Sequence, residues 1–331
     1  MKDTSPLILV TGATGAVGPR VVASLFDAGY RIRTLSVDPP QENTWPDSVE
    51  NKKGDVTNPA DVQSAMQGVD AVIHLAALLH VFNPPSSLCG MYERVNVNGT
   101  ATVVKAAAET RVRRIVFFST IAVYGDSQGQ ILTEETPPQP NTFYGQTKHK
   151  AERIILEARR QDGQPLGTVL RFGAIYGAHI KGNYRRLLEA LARRRFIPIG
   201  NGSNRRSLVY DKDVGRAAVL AVSHPAAAGR VFNVTDGEFH TLHEIIECMC
   251  SALGRKPPWI SLPVGPTRTL IGLIAKGSRA IGLNPPITQE MIDKYTEDIA
   301  VDGRLIQKDL GFMPQYGLKA GWEETIREML I

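Results

Sequence analysis

Tyr144 and Lys148 stand four residues apart in the run Tyr-Gly-Gln-Thr-Lys. On a helix, that spacing puts both side chains on one face. A phenol by itself ionises near pH ~10, too high for a base at neutral pH. An ammonium one turn away stabilises the phenolate and lowers that value. The pair suits removal of a hydroxyl proton, or its return to a ketone, coupled to hydride transfer at the same carbon. Thr120 closes the apolar run Phe117-Phe118-Ser119. Its hydroxyl both donates and accepts, as a group orienting the reacting oxygen must. A Tyr-x-x-x-Lys pair is common by chance, and Thr120 turns it into a constellation of three.

Hydride chemistry needs a carrier. Leu7 to Gly18 reads LILVTGATGAVG, an apolar run entering Gly12, Gly15 and Gly18 just before a helical pattern. Gly12 permits a tight turn, Gly15 lets the backbone approach a pyrophosphate, and Gly18 allows close helix–strand packing. Thr14, Ala16 and Val17 complete the loop, and the helix N-terminus faces the phosphates. The second strand is expected to end at Ser36, where an acidic residue would select NAD and a nearby arginine would hold a 2′-phosphate. Ser36 and Val37 are neither, and Asp38 comes two residues late. With no basic residue at the strand exit, NAD is expected, and NADP stays open. Asp55 follows another short strand and is placed to meet the adenine edge, with Val56 beside it. Leu75, Ala76 and Ala77 end an apolar strand with residues small enough to run beside a cofactor. A positively charged nicotinamide would further favour the Tyr144 phenolate. His74 reads as a packed histidine rather than a catalyst.

These residues need a scaffold that delivers them to one edge. Leu7–Val10, Arg31–Leu35, Ala71–His74, Ile115–Ser119 and Thr168–Phe172 read as strands rich in Val, Ile, Leu and Phe without polar alternation, the pattern of strands buried on both faces. Helical patterns fill the gaps at Val17–Ala28, Asp61–Met66, Asn96–Glu109 and Tyr144–Arg160. The alternation implies an α/β fold, a Rossmann-type doubly wound parallel sheet with ligands at the strands' C-terminal ends. After Phe172 helices dominate, and Val231–Val234 is one further strand able to return to the sheet. The expected division is a dinucleotide-binding domain over 1–173 with returning elements around 208–240. A smaller helix-rich substrate lobe then comprises 174–207 and 241–331.

The chain has 331 residues, 43% hydrophobic and 21% charged, with a net charge of +5, an ordinary globular composition. A mild positive charge suits an anionic substrate such as a nucleotide, and equally a mere scatter of surface Lys and Arg. The densest basic run, Arg193-Arg194-Arg195, lacks interleaved aromatics, so no nucleic-acid partner is expected. Three cysteines support neither a disulfide framework nor a zinc spacing, and no metal site is expected. The chain enters its first strand without a signal region, and no run reaches the ~18 apolar residues of a membrane span. A cytoplasmic enzyme is expected. The apolar stretch Leu270–Ile274, interrupted on its flanks by Arg268, Lys276 and Arg279, could lie on a membrane surface. A lobe helix covering the substrate pocket is the favoured reading.

TGATGAVG, GDV, HLAA, NVNGT at Asn96–Thr100, FFSTIAVYG and YGQTK follow one another as in extended short-chain dehydrogenases. The chain resembles the NAD-dependent epimerases and dehydratases of that superfamily over essentially its whole length. The KGN and RRSLVY segments look most like bacterial 4-epimerases and 4-keto-sugar reductases of surface-polysaccharide synthesis. The resemblance implies a nucleotide-sugar substrate and a homodimer. It assigns the chemistry to Thr120, Tyr144 and Lys148, and the substrate to Thr120, Ala174, Asn183 and Arg206. Arg206 matches the arginine that grips the diphosphate, while the Arg205 side chain is expected to point elsewhere. Ala174 replaces a substrate-contacting Asn. Ile121-Ala122 follow Thr120 where a dehydratase carries an acid/base pair. UDP-sugar 4-epimerisation is therefore the favoured activity, with an NADPH-dependent 4-keto-sugar reductase next. A hydroxysteroid-type or other alcohol dehydrogenase is a further alternative. A redox-sensing binding protein would have no need of the phenol.

Overall fold

The apolar runs form strands whose two faces are both covered. A computed structural model of the chain describes residues 5–79, 86–280 and 288–330. In chain order the first half runs β1 (Leu7–Thr11), α1 (Gly18–Asp27), β2 (Arg31–Ser36), β3 (Glu50–Lys53), α2 (Pro59–Met66) and β4 (Ala71–His74). Next come α3 (Ser86–Tyr92), a π-helical stretch Glu93–Gly99, α4 (Thr100–Ala108), β5 (Arg114–Thr120), β6 (Ile131–Leu132), α5 (Phe143–Glu157) and β7 (Gly167–Phe172). The second half contains β8 (Ala174–Tyr176), α6 (Asn183–Ala192), β9 (Arg205–Arg206), β10 (Leu208–Tyr210), α7 (Asp211–Ser223), β11 (Val231–Val234), β12 (His240–Thr241) and α8 (Leu242–Ala252). It ends with α9 (Val264–Ala280), α10 (Gln289–Thr296), β13 (Ala300–Val301), α11 (Arg304–Leu310) and α12 (Leu318–Leu330).

Seven strands make one parallel sheet in the order β11-β7-β5-β4-β1-β2-β3. The order reverses between β1 and β4, and a doubly wound sheet opens its ligand crevice at such a point. Ile8, Val10, Val116 and Phe232 belong to the core on one face, and Leu9, Val72, Phe117 and Val169 to that on the other. Val231–Val234 pairs with β7 and so does return to the sheet.

A separate apolar cluster lies under β8 and β10, which pair with each other, and joins α6, α8 and α12 around Tyr176, Leu208, Ile245 and Trp322. α7 packs back on α1, so closely that a side chain at Gly215 would come within 2.9 Å of the Arg20 carbonyl. Among the described residues no helix is long and apolar enough to cross a membrane, and no acidic, His or Cys cluster could hold a metal. Cys89, Cys248 and Cys250 are free.

α9 departs from expectation. Its residues Leu270, Leu273 and Ile274 are exposed, while Gly272 and Ala275 are buried. Its inner face meets α10 through small residues, which lets the two helices approach closely.

Candidate active site

The glycine loop is shaped by its neighbours. Gly12 has φ +71°, and a Cβ there would lie 2.7 Å from the backbone of Ala76. Ala76 thus runs directly beside the loop, continuing the pairing that Leu75 begins by donating its N–H to Thr11 at 3.0 Å. A side chain at Gly18 would collide with the Ala13 backbone, so only glycine lets α1 start there. Val17 gives α1 no side-chain cap, so the helix presents its first amides and positive dipole end at the loop. Gly15 and Ala16 are exposed, and the Thr14 N–H donates to Ser36 Oγ at 3.3 Å. An uncapped helix N-terminus behind a loop without bulky side chains fits the pyrophosphate of a dinucleotide.

At the exit of β2, Ser36 is buried, whereas Val37 and Asp38 are exposed. Arg33 is committed elsewhere: its guanidinium donates to Glu50 at 2.8 Å and to the carbonyls of Ala65 and Gln67. Asp55 accepts the Thr57 N–H at 2.8 Å, and Val56 is buried beneath Gly99.

Thr142 caps α5 by accepting the Gly145 N–H at 3.1 Å, which places Tyr144 in the first turn. Gly145 lets that turn sit on the segment after Thr120, since a Cβ there would be 2.7 Å from the Ala122 carbonyl. Thr120 ends β5, and its Oγ1 accepts the Ala122 N–H at 3.2 Å. Lys148 is buried, with Nζ 3.9 Å from the centre of the Phe117 ring of β5. The strand end and the helix face therefore meet at the C-terminal edge of the sheet. The Tyr144 ring lies edge-on to Tyr92 at 6.4 Å.

The electrostatics of the pair differ from expectation. Burial pushes the Tyr144 phenol up from its ordinary value, and Tyr92 adds to the effect. Burial also lowers the Lys148 ammonium to about 7, against the pull of Glu152. The protein alone thus disfavours the phenolate that the Tyr-Lys spacing predicts, because desolvation outweighs an amine that is itself drawn toward neutrality.

A supporting layer escaped sequence reasoning. Asn96 accepts the Leu78 N–H at 2.8 Å and donates to the Leu78 carbonyl and to Thr147 Oγ1, both at 3.2 Å. It ties the chain beyond Ala77 to the catalytic helix. Glu152, one turn beyond Lys148, takes two bonds from Arg171 of β7, 3.0 Å from Nε and 2.7 Å from Nη2, and a third from Ser119 at 2.5 Å. Burial would raise the Glu152 carboxyl, but the nearby His149 imidazole and the hydrogen bonds from Arg171 and Ser119 hold it below the usual carboxylate value. The Tyr144, Lys148, Glu152 repeat and an arginine inside the apolar strand TVLRF were the available signals. His74 is fully buried between Thr11 Oγ1 at 2.6 Å and Thr100 Oγ1 at 3.0 Å. Burial and the Lys148 charge lower its pKa to about 3. Thr100 donates its own proton to Asn96 O, so the network assigns Nε2 as the His74 donor.

In the substrate lobe, Ala174 pairs with Leu208. Asn183 opens α6 and, with Lys181, Tyr184 and Arg185, lines a small cleft that Tyr176 and Trp322 also line. Arg205 pairs bidentately with Asp298. Arg206 turns the other way and caps the C-terminal end of α10, donating to the carbonyls of Lys294 and Tyr295 at 2.9 Å and to that of Glu297.

Residues 8–235 match the profile of the NAD dependent epimerase/dehydratase family, and the chain belongs to that family, with NAD as its cofactor. It is 27% identical to the UDP-glucose 4-epimerase of Vibrio cholerae over 98% of this chain and 95% of that protein. It is 28% identical to the N-acetyl-alpha-D-glucosaminyl-diphospho-ditrans,octacis-undecaprenol 4-epimerase of Escherichia coli O157:H7, over 97% and 94% respectively. Hydroxysteroid dehydrogenases stand among its relatives as well. Among solved structures, MoeE5 in complex with UDP-glucuronic acid and NAD superposes with a TM-score of 0.75 at 26% identity, covering 97% of each chain.

Proposed function

We propose that the chain is a cytoplasmic, homodimeric UDP-sugar 4-epimerase. The observation that carries this reading is the seating of the first turn of α5 on the end of β5, which brings Tyr144, Lys148 and Thr120 to the C-terminal edge of the sheet that also carries the glycine loop. Tyr144 takes the proton of the sugar's C4 hydroxyl, and Thr120 orients that oxygen. Lys148 supplies the charge that makes the phenolate accessible. Bound at the glycine loop, NAD would supply the hydride acceptor and donor for that carbon. Once the 4-keto sugar has turned, Tyr144 returns the proton to the other epimer. Gly12, Gly15 and Gly18 hold the pyrophosphate, with Ser36, Asp55 and Val56 toward the adenosine.

Arg206, on leaving the α10 carbonyls it caps, and Asn183 meet the nucleotide diphosphate in this reading, and Lys181 and Arg185 of the cleft favour an anionic substrate over a steroid. Ile121-Ala122 argue against a dehydratase. A 4-keto-sugar reductase uses the same three residues, and the small Ala174 in place of an amide suits either. Mass spectrometry of small molecules released from the purified protein tests the choice. An epimerase retains NAD through its cycle and releases it only on denaturation. Protein that emerges empty and consumes NADPH against a 4-keto sugar is a reductase.

A further inference from the structure

The stripe of large aliphatic side chains on α9 faces away from the protein. Pro266, Leu270, Leu273, Ile274 and Gly277 recur at helical spacing and are all exposed, Leu273 at 63%. The buried face carries Gly272 and Ala275, and a side chain at Gly272 would overlap the Gln289 amide of α10. A surface helix ordinarily turns its large apolar residues inward; this one does the reverse.

The stripe continues beyond the helix. Leu262, just ahead of α9, donates to the Pro198 carbonyl and accepts from the Gly200 N–H, both at 2.8 Å. That stitching joins the exposed Ile197 to Trp259, Ile260 and α9. Trp259 is 91% exposed. An apolar and aromatic surface of this extent marks an interaction site.

Cations border it. Arg193, Arg194 and Arg195 lead into Ile197. Arg255 is seated beside them by its bond to the Leu191 carbonyl at 3.5 Å, Lys256 follows, and Lys276 lies on α9. All six are exposed, and none is ion-paired with another described residue. Arg268 differs, being paired bidentately with Asp293. Glu290 is the neighbouring carboxylate on α10.

We propose that this surface docks on an anionic lipid bilayer. α9 lies in the plane of the headgroups with Leu270, Leu273 and Ile274 among the acyl chains. Trp259 sits at the interface, and the six cations face the lipid phosphates. Charge decides between a bilayer and a second copy of the chain. A two-fold contact through this face would oppose cations to cations, whereas an anionic leaflet complements them. α10, which packs on α9, also carries the carbonyls that hold Arg206, so docking sets that side of the substrate lobe against the membrane. The proposal is independent of which reaction the active site runs.

Co-sedimentation of the full chain with phosphatidylcholine vesicles, with and without phosphatidylglycerol, tests it. Binding is expected only with phosphatidylglycerol and is lost at high salt. Lys256→Gln and Lys276→Gln should each weaken it about five-fold, and Leu270→Glu with Leu273→Glu should abolish it. NAD affinity and thermal midpoint should not change in these variants, which excludes misfolding as the cause. Trp259 emission should shift to the blue on binding, with Trp259→Phe giving the background of the other tryptophans. Failure to sediment with anionic vesicles overturns the proposal, as does binding that survives Leu270→Glu with Leu273→Glu. So does a dimer in sedimentation velocity that Leu273→Glu dissociates while vesicles fail to bind, since the face then belongs to a second copy.

Discussion

The Lys148 ammonium lies 3.9 Å from the centre of the Phe117 ring, a cation on an aromatic face inside the core of an active site. The contact stabilises the charge, yet burial lowers the Lys148 pKa to about 7 from an ordinary 10.5. In the NAD-free chain the consequence for stability has a definite sign. Below about 7 both folded and unfolded chains hold the proton, and the full cost of a buried charge is present. Between 7 and 10.5 the unfolded chain binds a proton that the folded chain has released, so stability rises with pH by up to about 1.4 kcal/mol per unit. Lys148→Met should remove that slope and exceed the wild type most at or below neutral pH. Urea midpoints measured across the window test this, and parallel curves for the two proteins would contradict it.

Tyr144→Phe deletes one oxygen and leaves the edge contact with Tyr92 intact. Turnover should fall by about 10²–10⁴, the range for lost general acid–base work, with NAD affinity preserved. Near-normal turnover removes Tyr144 from the mechanism.

The pair Glu152–Arg171 is buried and bidentate. Removing one partner strands the other charge, so Glu152→Gln or Arg171→Met should each cost about 3–5 kcal/mol of stability. Denaturation midpoints close to wild type in both variants would show that the pair relaxes into solvent.

Much of this was legible in the residues. The glycine spacing, the apolar strands and the Tyr144–Lys148 repeat specified the sheet and its catalytic edge, because each follows from local sterics or helical period. The direction of the Tyr144 shift was not legible, since it depends on how much water the fold leaves around the ring. The outward face of α9 was hidden for a related reason: a helical stripe in sequence does not say which side meets the protein. The part of Asn96 was invisible because its partners, Leu78 and Thr147, are distant in the chain and meet only in the fold.

Arg206 caps α10 through backbone carbonyls. Arg206→Ala should therefore lower the thermal midpoint as well as weaken UDP binding, the latter by about 1.5–3 kcal/mol for a lost charged hydrogen-bond set. NAD affinity should stay as in wild type. Calorimetry showing unchanged UDP affinity would place the diphosphate elsewhere.

Arg33 is committed to Glu50 and two carbonyls, so that arginine is not offered to a 2′-phosphate. NAD should bind more tightly than NADP in fluorescence titration. A clear preference for NADP would favour the reductase reading.

On this proposal Tyr144, Lys148 and Thr120 oxidise and re-reduce a single sugar carbon without net loss of cofactor. NMR of UDP-hexoses and UDP-N-acetylhexosamines incubated with the enzyme measures this directly. The C4 epimer is expected at equilibrium, with total NAD unchanged and no deuterium entering at C4 from D₂O, because the returning hydride is the one removed. No C4 epimer from any of these sugars, together with steady NAD(P)H consumption on a 4-keto sugar, would contradict it.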